Sequence, residues 1–186
     1  MLYNINMPRK KRPTCFRIAN FILWAVLWAF FSSGAYATTS SAVKTGFLFN
    51  FFKFVQWPET SQQNFQLCIG KGDDLGSSLS AIHGKQVNGV TILLRRNVQG
   101  ASLKNCNMVF LPAADDRRMQ LQQLRGLPIL TVGDGEDFIN EGGMIGLVED
   151  GSHLGFEVNL QQLRNARLQV SAQLLKLAKN VKGGGG

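Results

Sequence analysis

Six short apolar runs recur along the chain, at Phe65–Gly70, Val90–Leu94, Met108–Leu111, Pro128–Val132, Met144–Val148 and Leu154–Leu160. Between the earlier runs lie stretches with helical character, Val43–Val55, Leu75–His83 and Asp115–Arg125, the last closed by Gly126. Strands that are apolar at successive positions are buried on both faces, and such strands belong to parallel sheets covered by helices on either side. Leu154, Phe156, Val158 and Leu160 instead alternate with polar or small neighbours, and the turn at Glu149–Ser152 pairs that run with Met144–Val148 as a hairpin. The expected fold is therefore α/β: a three-layer sandwich with a largely parallel, Rossmann-like sheet and an edge hairpin near 143–160. A basic helix with Val170, Leu174, Leu177, Ala178 and Val181 on one face is expected to close it.

The charge of the chain is informative about place rather than about partner. Of 20 basic residues, Arg9, Lys10, Lys11, Arg12 and Arg17 precede position 38 and none of the 12 acids does, so the net +8 falls to +3 beyond the leader. That balance is too small to argue for a nucleic acid partner. The basic stretch runs into an apolar segment, Ile18–Phe31, and then Ala35-Tyr36-Ala37, the layout of a secretory signal cleaved after Ala37. Fourteen helical residues reach about 21 Å, short of the roughly 30 Å hydrocarbon core, which favours cleavage over a retained anchor. The organisation read from the sequence is a signal peptide over 1–37, one domain over 38–182 and a flexible glycine tail over 183–186. After export the chain keeps two cysteines, Cys68 and Cys106. In an oxidising compartment a disulfide is their default state, with two buried free thiols as the alternative.

Chemistry-bearing motifs are sparse. Gly70-Lys71-Gly72-Asp73-Asp74-Leu75-Gly76 follows a strand and opens a helix, as a dinucleotide loop does. Its spacing is one residue beyond the fingerprint, and Asp73 and Asp74 would place negative charge where a pyrophosphate must sit. His83 and His153 are the only histidines and lie 70 positions apart, without ligands at metal spacing. The loop with Asp134, Glu136 and Asp137 would put Ile145 where a calcium loop needs its bidentate glutamate. No nucleophile motif occurs, so neither an enzyme, a metal nor a cofactor is expected.

The unusual features are apolar. Val43–Val55 carries Phe47, Phe49, Phe51, Phe52 and Phe54 and is apolar nearly all round, more than one sheet can cover. Part of it, with Phe47, Phe51 and Phe54 as candidates, is expected against a second subunit or neighbouring helices. Gly142 and Gly143 permit a tight turn into Met144 and Ile145, which together with Phe156 and Glu157 are the candidates for partner binding. Core packing is the competing role for each of them.

An ordered series of segments resembles the YfiR family of exported bacterial regulators: 43–58 with its phenylalanines and Trp57-Pro58, Leu67-Cys68-Ile69, Cys106, 128–132, Gly142–Ile145, Phe156–Leu160 and Ser171–Ala178. The resemblance spans nearly all of the chain beyond the leader. It implies a periplasmic protein that binds the periplasmic portion of an inner-membrane diguanylate cyclase and holds it inactive, with release governed by an outer-membrane lipoprotein. It also implies lowered cyclic-di-GMP and biofilm formation, a Cys68–Cys106 disulfide and a homodimer. A second cysteine pair found in some members is absent. A periplasmic small-molecule-binding protein signalling to another membrane receptor is the alternative reading; an exported hydrolase lacks the parts.

Overall fold

The computed structural model describes residues 39–58, 63–151 and 153–184. The expected signal segment and its cleavage point lie outside these residues, as does the end of the glycine tail. Helix α1 (Thr39–Phe54) runs into a two-residue strand, β1 (Val55–Gln56), and the chain then enters a mixed sheet of eight strands. In chain order these are β2 (Asn64–Ile69), β3 (Gln86–Val87), β4 (Val90–Arg95), β5 (Met108–Leu111), β6 (Leu130–Asp134), β7 (Ile145–Asp150), β8 (His153–Asn159) and β10 (Asn180–Lys182). Their order across the sheet is β10-β8-β7-β6-β5-β2-β4-β3. All neighbouring pairs are parallel except β3–β4 and β7–β8.

Alternation along the central strands sorts side chains onto two faces. Leu67 and Ile69 of β2 and Met108 and Phe110 of β5 join the larger core, together with Leu48, Phe51 and Phe52 of α1. Cys68, Val109 and Leu111 point the other way, into a second core with Leu103, Leu121, Leu124 and Phe138. Leu121 and Leu124 belong to α2 (Arg117–Leu124), so helical elements cover both faces and the molecule is an α/β sandwich, as the short doubly buried runs predict. The crossover strands appear spatially as β4-β2-β5-β6-β7, the doubly wound order in which the chain reverses direction between β2 and β5.

Three elements differ from the sequence reading. Leu75–His83 holds a 3₁₀ helix over Gly76–Ala81 rather than an α-helix, in keeping with the weak helix propensity of its glycine and three serines. The hairpin of β7 and β8 forms as expected, but the edge beyond it is taken by β10, which pairs with β8 in parallel. The closing helix is not continuous. After a helix not expected from the sequence, α3 (Leu160–Asn165), and Arg167 in the left-handed region at φ 58°, it divides into β9 (Gln169–Val170), α4 (Ala172–Leu177) and β10. Val170 pairs with Val55 of β1, and the Ser171 hydroxyl accepts from the Leu174 N–H at 3.1 Å to start a new helix. Backbone pairing with β1 and β8 thus overrides the helical spacing of Val170 and Val181, while Leu174 stays helical in α4.

Candidate interaction site

Helix α1 is held on the sheet by an aromatic cluster. Phe47 and Phe51 stack with centroids 6.0 Å apart, and Phe156 of β8 meets them edge-on at 5.6 and 5.4 Å. Phe51 and Phe156 are thereby buried, while Phe47 and Phe54 stay half-buried and Val43, one turn before Phe47, is exposed. Val43, Phe47 and Phe54 fall on one flank of the helix at spacings of four and seven. Val170, Leu175 and Ala178 are likewise half-buried apolar side chains packed on the same core, and the Ser171 N–H bonds the Phe54 carbonyl at 2.9 Å. Of the candidates Phe47, Phe51 and Phe54, the first and last therefore keep free surface and Phe51 does not.

The candidates for partner binding on the hairpin need correction. Met144, Ile145 and Phe156 are 4%, 0% and 2% exposed. Ile145 is paired with Val132 and Val158, and the Met144 N–H donates to the Thr131 hydroxyl at 3.1 Å. Their faces are turned inward by the strand period that carries Phe156 toward α1. Glu157 alone is half-buried, on the opposite face of β8. The glycines have a different purpose from the expected tight turn alone. Gly142 does adopt φ +104°, but a Cβ on either Gly133 or Gly143 would overlap the Phe138 ring, so that ring is slotted between two glycine backbones.

At the carboxyl ends of β2, β5 and β6 the doubly wound order creates the crevice in which such sheets receive ligands. Here the chain's own charges fill it. Asp115 accepts from the N–H groups of Lys71 at 3.1 Å and Asp116 at 2.9 Å and from Gln120 Nε2 at 2.9 Å, and a Cβ on Gly70 would collide with its carboxylate. Asp73 binds Arg96 at 2.6 Å and accepts from the Leu75 N–H. Lys44, buried on α1, bridges Asp74 at 2.7 Å and Asp134 at 3.2 Å. Burial works against the Lys44 ammonium, yet its bonds to Asp74 and Asp134 outweigh that and hold its pKa above the ordinary 10.5. Burial raises the Asp134 pKa above 3.8 despite the attraction of Lys44. The Gly70–Gly76 loop is thus organised by internal carboxylates, as its two aspartates suggested.

A family description of YfiR/HmsC-like proteins matches residues 41–179, from the start of α1 to the residue before β10. The chain belongs to the YfiR/HmsC-like family. Its members are periplasmic regulators of cyclic-di-GMP signalling, regulatory rather than catalytic, and each works through a partner in that signalling. Among the described residues no helix is long and apolar enough to cross a membrane.

The disulfide of this YfiR/HmsC-like domain joins Cys68 and Cys106, with Cα atoms 6.0 Å apart. Cys68 lies in β2, and Cys106 ends the 3₁₀ helix Gly100–Asn105 just before β5. Cys106 also lines a cleft of about 450 Å³ with Trp57, Lys104, Leu127 and Pro128 at the amino ends of β5 and β6. The Trp57 indole N–H donates to the Asn107 carbonyl there at 3.1 Å. Sequence reasoning missed Lys44, although a signal existed: it precedes Leu48 by four and Phe51 by seven, so it lies on the buried face, where a lysine demands carboxylate partners.

Proposed function

We propose that this protein represses an inner-membrane diguanylate cyclase by binding its periplasmic portion, that an outer-membrane lipoprotein relieves the repression, and that cyclic-di-GMP and biofilm formation fall as a result. The observation that carries the reading is membership of the YfiR/HmsC-like family over residues 41–179. Export behind a cleaved signal ending near Ala37 belongs to the same reading. Repression requires no chemistry in the repressor. A ligand that binds the inactive state of a receptor 100-fold better shifts its equilibrium by about 2.7 kcal/mol, and a disulfide-closed domain loses little conformational entropy on docking.

The working unit in this reading is a homodimer formed through the flank Val43, Phe47 and Phe54, which one sheet leaves half covered. Two measurements test the scheme. A strain lacking the protein but expressing the partner cyclase should contain more cyclic-di-GMP and attach more strongly to surfaces, and the exported wild-type protein should capture the cyclase from membranes. Unchanged nucleotide levels together with failed capture would reject repression. Sedimentation of Val43→Asp/Phe54→Glu should show monomers where wild type shows dimers, and an unchanged mass would place the dimer surface elsewhere.

A further inference from the structure

The hairpin of β3 and β4 turns on two residues, Asn88 and Gly89, with Val87 and Val90 as register partners. Both turn residues have positive φ, 51° and 80°, as a type I′ turn requires. Both are exposed, and a Cβ built on Gly89 would meet nothing within 4 Å. Asn88 is the one asparagine in the sequence followed by glycine. Its side-chain amide therefore adjoins a backbone nitrogen that no side chain shields. That nitrogen lies outside the ladder, and among the described residues its N–H makes no backbone hydrogen bond.

A closed turn restrains the rotations that bring the two groups together, so the hold on the turn decides whether they react. Here that hold is short. β3 has only two residues and is the last strand of the sheet, paired on one side alone. Gln86 is exposed, and Val87, 4% exposed in the larger core, is the strand's sole apolar anchor. So short an edge strand opens locally at a small fraction of the cost of global unfolding. The comparison within the chain is Asn97, also exposed and at φ 55°. It is followed by the buried, β-branched Val98, whose side chain crowds the equivalent nitrogen.

We propose that Asn88 is a self-modification site, converting through a cyclic imide to aspartate and isoaspartate, and that the isoaspartate form releases β3 from the sheet. The Gly89 nitrogen gives its proton to a solvent base and forms a bond to Asn88 Cγ; the Cγ–Nδ2 bond breaks and Nδ2 leaves as ammonia. Water then opens the imide. Attack at Cγ restores the backbone and leaves aspartate. Attack at the Asn88 carbonyl carbon leaves the chain running through Cγ, one methylene longer. No oxidant or reductant takes part. The aspartate product fits the same turn, since Asp-Gly also suits type I′. The isoaspartate product does not, because an added backbone atom between Val87 and Val90 breaks the register that a two-residue loop fixes. Val87 then leaves the core, and β4 loses its cover at Val90 and Thr91.

The test is incubation of the purified, folded protein in mildly alkaline water enriched in the heavy oxygen isotope, followed by peptide mapping by mass spectrometry. It needs no cyclase, so it stands apart from the repression reading. Asn88 should acquire a labelled carboxyl about tenfold or more faster than Asn97, in two chromatographically distinct peptides, aspartate and isoaspartate. Asn88→Gly keeps a type I′ pair, removes the reactive amide and should melt like fresh wild type. Asn88→Asp adds the charge without the extra methylene and should do the same. The isolated isoaspartate form should melt about 3–6 °C lower, the effect of freeing one buried valine. Labelling of Asn88 no faster than Asn97, labelling only after unfolding in urea, or an isoaspartate form that melts like wild type overturns the inference.

Discussion

Lys44 brings a charge onto the one face of α1 that is otherwise given to Leu48, Phe51 and Phe52, and two aspartates from different parts of the chain meet it there. Because its folded pKa is raised, its contribution to stability is complete below 10.5 and is lost as pH rises beyond that through the folded value. Asp134 is the opposite case for a carboxylate. Its folded pKa lies above 3.8, so its ionisation weakens the folded state as pH rises from 3.8 through the folded value, and protonation restores it. Replacing Lys44 by Met leaves Asp134 beside Asp74 with no ammonium between them, and should destabilise the fold by about 2 kcal/mol at neutral pH, less than a fully buried pair would lose. The loss should shrink on acidification, as Asp134 takes up a proton, and should be partly reversed by Asp134→Asn. Urea denaturation at about pH 7 and about pH 4 measures this, and a loss independent of pH would refute the pairing.

At the scale of elements, the hairpin β7–β8 is anchored from both sides. Phe156 and Ile145 face the larger core, and Phe138 is clamped between Gly133 and Gly143 with the Arg117 guanidinium 5.6 Å from its centroid. Gly143→Ala should therefore cost about 1–3 kcal/mol through overpacking against that ring, and Phe138→Leu in the same chain should recover part of it, a coupling that a thermal-melt double-mutant cycle reads directly. Ile145→Asp places a carboxylate in a fully buried position and should lower stability by several kcal/mol before any partner is involved. Its loss of function would accordingly report unfolding, and the expressed protein should melt early by circular dichroism. In the proposed dimer, the half-exposed flank of α1 is where substitutions should separate association from folding.

For the molecule as a whole, the disulfide closes the excursion that leaves β2, forms the β3–β4 hairpin and returns to β5. Cys68 and Val109 are register partners, so the bond ties β2 to the residue that ends the 3₁₀ helix just before β5, the strand already beside it in the sheet centre. Its effect is then chiefly on the unfolded chain, where the 38-residue separation corresponds to about 4 kcal/mol in the loop-entropy model. Cys68→Ala/Cys106→Ala should lose about that much in a denaturant melt while keeping the native far-ultraviolet spectrum. A loss below about 1 kcal/mol would mean that the sheet alone restrains this excursion.

Local pattern was sufficient for the sandwich, because short runs such as 108–111 are apolar at every position and can be satisfied only between two helical layers. The expected pairing of Cys68 with Cys106, which rested on a signal segment carrying Cys15 away, is met by the bond between them. The sheet order, the division of the closing helix and the role of Gly143 were decided by contacts across the chain. Val170 reads as part of a helix until Val55 is beside it, and Gly143 reads as a turn residue until Phe138 is against it. The hairpin side chains show the same limit: an alternating strand states that one face is buried, but only the arrival of Phe47 and Phe51 from α1 determines that Phe156 is on that face and not at a partner's surface.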